Sequence, residues 1–170
     1  MHLSRSLAAV SAALLLAAAM PQPAQAREMV GFSEPYASGT IVVKTSERKL
    51  YYVLGNGSAL RYPVGVGRAG KQWSGSARID GKQLSPAWAP PAEIRRDKPS
   101  LPSVIPGGAP SNPMGAAAMT LSGGEYAIHG TNQPQSIGGF VSAGCIRMHN
   151  ADVVDLYARV AVGTPVVVIR

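Results

Sequence analysis

Eight of the 14 prolines fall between residues 86 and 113, at Pro86, Pro90, Pro91, Pro99, Pro102, Pro106, Pro110 and Pro113. Each proline fixes φ and removes a backbone donor, so this density excludes a long helix or a central strand over much of the stretch. The wider segment from Gly67 to Gly115 is rich in Pro, Gly, Ser and charge, yet Trp73, Leu84, Trp88 and Ile94 give it apolar anchors. It reads as long ordered loops rather than a disordered linker. In a small domain such loops commonly shape a binding site.

On either side of these loops the pattern is β. Thr40 to Thr45 (TIVVKT) and Lys49 to Leu54 (KLYYVL) are short runs of β-branched and aromatic residues. Gly55-Asn56-Gly57 supplies a tight turn, and Ser58 to Val66 offers the return strand. A third β region comprises Ala117 to Leu121 and Glu125 to His129, separated by Ser122-Gly123-Gly124, and Pro165 to Ile169 makes a last strand. The single strong helix has Asn150 as its cap, an apolar stripe of Val153, Leu156, Tyr157 and Val160, and Gly163 with Pro165 at its end. The expected fold is therefore mainly β: packed mixed sheets, long ordered loops and one prominent helix near the C-terminus. No internal repeat or heptad pattern is present.

Residues 1–26 read as a secretory leader. His2 and Arg5 form a basic opening, Leu7 to Met20 is apolar, and Ala24-Gln25-Ala26 is an A-x-A cleavage signal. The alternative is an uncleaved N-terminal anchor. Cleavage after Ala26 leaves residues 27–170, the size of one domain, with no later stretch near the roughly 18 apolar residues of a membrane span. The chain carries a formal charge of +7. Its basic residues are dispersed and no nucleic-acid motif accompanies them, so ordinary solvated charge explains the excess as well as an anionic partner does. The expected location is the periplasm or cell envelope.

Outside the leader, the sole cysteine and both histidines fall in one short stretch: His129, Cys145 and His149. A lone cysteine in an exported chain has no internal disulfide partner, which leaves intermolecular pairing or a free, reactive thiol. A thiol is only slightly ionised at neutral pH, and a histidine base can take its proton and return it to a leaving amine. His129 ends a β element, and the glycine-rich connection Gly138 to Val141 is expected to enter an adjacent strand and bring Cys145 to it. In contact, a protonated imidazole would hold the thiol below its free value of about 8.5. Amides around Gly144 to Ile146 are candidate oxyanion donors. No acid lies near to orient His129, and the Gly130 carbonyl is the closest substitute. Two other classes compete: a zinc site built from His129, Cys145 and His149, which lacks a fourth ligand, and a non-catalytic wall-binding or secreted structural domain. His149 reads as a surface or helix-start residue, and Trp73 and Trp88 as either cleft or core.

At these residues the chain resembles an L,D-transpeptidase catalytic domain of the YkuD type. That family has a histidine followed about sixteen residues later by the cysteine of an S-x-G-C segment, here His129 and Ser142-Ala143-Gly144-Cys145, followed by Ile146-Arg147-Met148. IVVKTSERKLYYV, RYPVGVGR, PAWAPP, IPGG, NPMG and YAIHGTN extend the resemblance, in the usual order, over nearly all of residues 27–170. It implies an L,D-transpeptidase-like β-sandwich with Cys145 as nucleophile, His129 as base and acid, and Gly130 as the residue orienting the imidazole. It implies that Arg147 holds the active-site loop or binds substrate and that Ser142 and Gly144 shape the pocket. Where many members carry a second histidine, this chain has Ala143.

The resemblance further implies a peptidoglycan stem tetrapeptide as donor. Cys145 would attack the carbonyl of the third, diamino-acid residue, release D-Ala and form a thioester. The acceptor would be an amine of a second stem peptide, a lysine of an envelope lipoprotein, or water. This chemistry requires neither a metal nor an organic cofactor.

Overall fold

The computed structural model describes residues 27–123 and 126–170; the leader read at residues 1–26, and Gly124 and Glu125, lie outside them. The strands are β1 (Glu28–Gly31), β2 (Ile41–Lys44), β3 (Lys49–Gly55), β4 (Ser58–Pro63), β5 (Val66–Gly67), β6 (Gly75–Leu84), β7 (Ala117–Leu121), β8 (Ala127–His129), β9 (Phe140–Ser142), β10 (Ile146–Arg147) and β11 (Pro165–Ile169). Two α-helices join them, α1 (Ala92–Asp97) and α2 (Asn150–Arg159).

The opening meander forms where its β-branched and aromatic runs lie. β3 and β4 are joined through Asn56 and Gly57, at φ 52° and 71°, the positive angles a two-residue hairpin turn requires. β1, not anticipated, adds an exposed edge to β4. The continuous order is β1-β4-β3-β2-β11-β6-β7-β8-β10, with β5 and β9 forming a separate parallel pair.

The longest strand, β6, lies inside the segment expected to be loops. Its sequence, GSARIDGKQL, has one β-branched residue and little periodicity, but residues 64–85 are free of proline, and strands on both sides supply ladder partners. Gly75 to Arg78 pair with β11, whereas Ile79 to Leu84 pair with β7, and the register shifts between Ile79 and Gly81. One strand thus passes from one sheet into the next through a bulge, and the sheet folds into two layers.

Between the layers lies the core: Ile41, Leu50 and Tyr62 from one sheet, Met119, Ile128 and Ile146 from the other, and Val153 and Leu156 from α2. The α2 stripe packs as its spacing predicts. Its carbonyl end is closed by Lys82 Nζ, which donates to Tyr157 O at 2.8 Å and Val160 O at 2.5 Å. The expected Asn150 cap is corrected: His149 holds the N-cap position without a side-chain cap bond, and Asn150, the first helical residue, serves the loops below. Among the described residues no helix is long and apolar enough to cross a membrane.

Candidate active site

The catalytic candidates are brought together by the short parallel pairing of β8 with β10, in which Ile146 lies beside Ile128 and Arg147 beside His129. Side chains alternate across a strand. Ile128 and Ile146, 0% and 1% exposed, face the core, so His129 and Arg147 stand on the other face, together with Cys145, one residue before β10. The segment expected to bridge to β8 does something else: β9 pairs with β5, and Gly138 N–H donates to Val64 O. β10 is the element that delivers the cysteine.

His129 is 4% exposed, and its Nδ1 lies 2.7 Å from the Gly130 carbonyl. A carbonyl only accepts, so Nδ1 carries the proton and Nε2 keeps its lone pair. Burial pushes the imidazole pKa down to about 4, with Arg147 repelling a proton and the Gly130 and Pro113 carbonyls favouring one. Cys145 is partly exposed; burial pushes its thiol up, against smaller opposing effects of the Ala127 backbone and Arg147. Among the described residues, no hydrogen bond joins the thiol to the imidazole. Burial thus disfavours the charged form of both groups and works against the thiolate–imidazolium pair expected from sequence.

The nucleophile loop is tied from within. Ser142 Oγ donates to Cys145 O at 2.6 Å and accepts from Gly144 N–H at 3.1 Å. The Gly144 amide is thus engaged inside the loop, which leaves the Cys145 N–H as the simpler oxyanion donor. Gly144 has φ +128°, and a Cβ there would lie 2.2 Å from the Tyr126 ring, so only glycine fits. Trp73 stacks on Tyr126 at 4.9 Å and donates from Nε1 to Gly144 O at 2.9 Å. Its position is under the loop, as packing with a polar tip.

Arg147 is half-buried, and its Nε has no hydrogen-bond partner among the described residues. Its backbone is fixed by a reciprocal bridge to Gly65, at 2.8 and 2.9 Å. Its side chain borders two clefts. One, of about 220 Å³, includes Trp88, Ile105, Pro113 and Gln133. The other, of about 210 Å³, includes Arg68, Glu93, Val141 and Ala143. Ile94 and Lys98, on and just after α1, line both. A half-buried guanidinium with no carboxylate partner among the described residues suits an anionic group.

Two asparagines hold the surroundings: Asn150, read from sequence only as a helix cap, and Asn112, which the sequence did not single out. Asn150 Oδ1 accepts from the Ala116 and Thr131 amides, and its Nδ2 donates to Thr131 O, all at 3.0 Å. A Cβ on Gly130 would sit 2.2 Å from that oxygen, so glycine is required for this approach. Asn112, 2% exposed, donates to Pro86 O at 2.8 Å, Ile105 O at 3.3 Å and Pro106 O at 2.9 Å, and accepts from Met114 N–H at 2.9 Å. Neither role has a signature separable from an ordinary helix cap or turn asparagine. Among the described residues no three His, Cys, Asp or Glu side chains gather as a metal site, so His129, Cys145 and His149 do not converge as zinc ligands.

The family model for the L,D-transpeptidase catalytic domain (YkuD) matches residues 38–168. Probable L,D-transpeptidase YbiS of Escherichia coli K12 is 40% identical over 135 residues, covering 74% of this chain and 43% of that protein. Probable L,D-transpeptidase ErfK/SrfK of Salmonella typhimurium is 41% identical over 136 residues, covering 76% and 43%. The chain thus spans less than half the length of these relatives. A Brucella melitensis crystal structure, described as a probable carnitine operon oxidoreductase, is 40% identical with a TM-score of 0.57, covering 87% of this chain and 96% of that one. An L,D-transpeptidase from Mycobacterium smegmatis shares the fold at 18% identity and a TM-score of 0.61, covering 77% and 58%. The match over most of the length, on the strands that carry Cys145 and His129, places this chain in the L,D-transpeptidase catalytic-domain family.

Proposed function

We propose that this protein is an exported cysteine acyltransferase acting on peptidoglycan stem peptides. The observation that carries the reading is the β8–β10 pairing, which sets Cys145 and His129 on one face with Nδ1 on the Gly130 carbonyl, the arrangement in which Nε2 serves as base.

Cys145 attacks the carbonyl of the third residue of a donor tetrapeptide while His129 Nε2 takes the thiol proton. A neutral pair is matched to this task, because charge develops only as the C–S bond forms. The Cys145 amide receives the oxyanion, and the imidazolium returns its proton to the departing D-Ala nitrogen as the C–N bond breaks. The resulting thioester is cleaved by an amine of a second stem peptide, by a lipoprotein lysine, or by water, with His129 again taking the proton. Arg147 binds a donor carboxylate, and Ser142 and Gly144 hold the loop shape. Export to the periplasm or envelope is supported by the leader pattern of residues 1–26.

The description of the Brucella relative raises oxidoreduction as a rival. Gly65-Val66-Gly67-Arg68-Ala69-Gly70 even has dinucleotide-fingerprint spacing. That fingerprint works by opening a helix whose N-terminus meets the pyrophosphate. Here the segment leads into β6, and the next helix begins only at Ala92. Gly67 instead serves a tight turn, since a Cβ there would lie 2.3 Å from Lys71 O.

Incubation with tetrapeptide muropeptides and mass analysis tests the proposal. D-Ala release with crosslinked dimers or tripeptides, lost in Cys145→Ser, is expected. Unchanged substrate with folded protein contradicts it.

A further inference from the structure

Asp152 is 2% exposed on the first turn of α2, its Oδ2 has no hydrogen-bond partner among the described residues, and the mechanism makes no use of it. The groups facing it are His149 at the N-cap, Asp155 on the same helix and Arg27 just before β1, whose backbone N–H is directed at the carboxylate. The Arg27 side chain is occupied elsewhere: its guanidinium pairs with Asp155, which also accepts from Tyr62 Oη at 2.7 Å and from Arg159 at 2.9 and 3.0 Å. Arg27 is held in place by β1, where Glu28 pairs with Arg61 both in the ladder and by a 2.5 Å ion pair. A backbone nitrogen therefore lies at a buried carboxylate that, among the described residues, forms no ion pair, with His149 and the Arg27 guanidinium acting on it only through space. Burial pushes the Asp152 pKa up, as expected of a carboxylate with too little compensation.

Arg27 is also the residue that leader cleavage would expose. We propose that hydrolysis of the Ala26–Arg27 bond converts this contact into a buried ion pair, the new α-ammonium of Arg27 docking on Asp152 and securing the start of α2. The inference rests on the processing reading under the proposed function. The oxygen of one water ends in the Ala26 carboxylate and its two protons on the Arg27 nitrogen as the C–N bond breaks, so a single amide N–H becomes a cation with three donors. Two residues before Asp152, Asn150 holds the Ala116 and Thr131 amides beside His129 and Gly130. Processing would thereby stiffen the helix end that braces the active site.

The test uses the full precursor, secreted and processed in a bacterium, beside a variant with Ala-Gly inserted between Ala26 and Arg27, and Asp152→Asn. N-terminal sequencing identifies the first residue of each. Reductive methylation with ¹³C-formaldehyde, followed by NMR across pH, then reads the α-amine. A paired ammonium titrates above the free value of about 7.7–8.0, so the wild-type α-amine should react roughly tenfold more slowly at pH 8 than that of either variant. A raised amine pKa stabilises below the free pKa and ceases to do so as pH rises through the folded one. The wild-type melting temperature should accordingly exceed that of the insertion variant at pH 7, and the gap should close at higher pH. If Asp152→Asn does not fold, the insertion variant decides alone. Chains sequenced from Arg27 and from the inserted Ala that react at one rate and melt together overturn the docking. A different wild-type first residue overturns the processing reading, and the docking with it.

Discussion

The β8–β10 ribbon presents His129 and Arg147, with Cys145 just before β10, on a face backed by fully buried Ile128 and Ile146, whereas α1, beside the clefts that Arg147 borders, buries no residue at all. The ribbon is held by ladder bonds, by the Asn150 clamp and by the Trp73–Tyr126 stack beneath Gly144. The α1 segment is held by Glu93, which pairs with Lys71 at 3.0 Å and Arg68 at 3.9 Å, all of them well exposed to solvent and salt. The proposed reacting groups sit where displacement is opposed by the core. The groups that meet the rest of a substrate sit where adjustment is easy, and Asn112 joins the two regimes by gathering the proline-rich loops onto one buried amide.

The sharpest way to break this contrast is at its rigid end. His129→Ala should lower turnover by about 10²–10⁴-fold, the usual contribution of a positioned acid–base group, while melting curves show a folded domain. A variant that retains near-normal turnover would mean that another base serves Cys145. Next comes the clamp. Asn150→Ala leaves the Ala116 and Thr131 amides without their acceptor, and because one of these bonds is exposed and the other part-buried, each loss should cost about 0.5–1.5 kcal/mol. Chemical denaturation should register that loss, and kcat should fall with it.

Asn112→Ala removes a comparable set of bonds from the loop wall, with a stability loss of about 1–3 kcal/mol. Steady-state kinetics should show the effect mainly in KM, because the β8–β10 ladder does not depend on it. A kcat loss matching that of Asn150→Ala would erase the distinction between the two regions. The smallest effect is expected for Glu93→Gln, which frees α1 from its exposed ion pairs. Its melting temperature should equal the wild type, and any KM change should be reproduced in wild type by raising salt.

The same contrast explains what could be read without coordinates. The meander, β11 and the α2 stripe were legible because hydrophobic period and turn residues agree there, and His129 and Cys145 because cysteine and histidine are scarce outside the leader. β6 was not, because its residues are neutral about strand formation and its neighbours on both sides impose it. Asn150 was seen as important for an incorrect reason: an asparagine before an apolar stripe looks like a cap, while only tertiary placement reveals that its amide reaches the loops. Charge state was the least legible feature. Histidine beside cysteine suggests an ion pair on paper, but burial acts against both charges at once.

That last point is open to direct measurement through the rate of iodoacetamide labelling of Cys145 across pH, in wild type and in His129→Ala. Burial raises the thiol pKa and lowers that of the imidazole to about 4, so thiolate should emerge only at or above the free-thiol value of about 8.5. The wild-type rate should climb through that value without a plateau at lower pH, and His129→Ala should leave the profile nearly in place while turnover collapses. A labelling plateau below pH 7 in wild type that disappears in His129→Ala would establish a resting thiolate–imidazolium pair and contradict the neutral site described here.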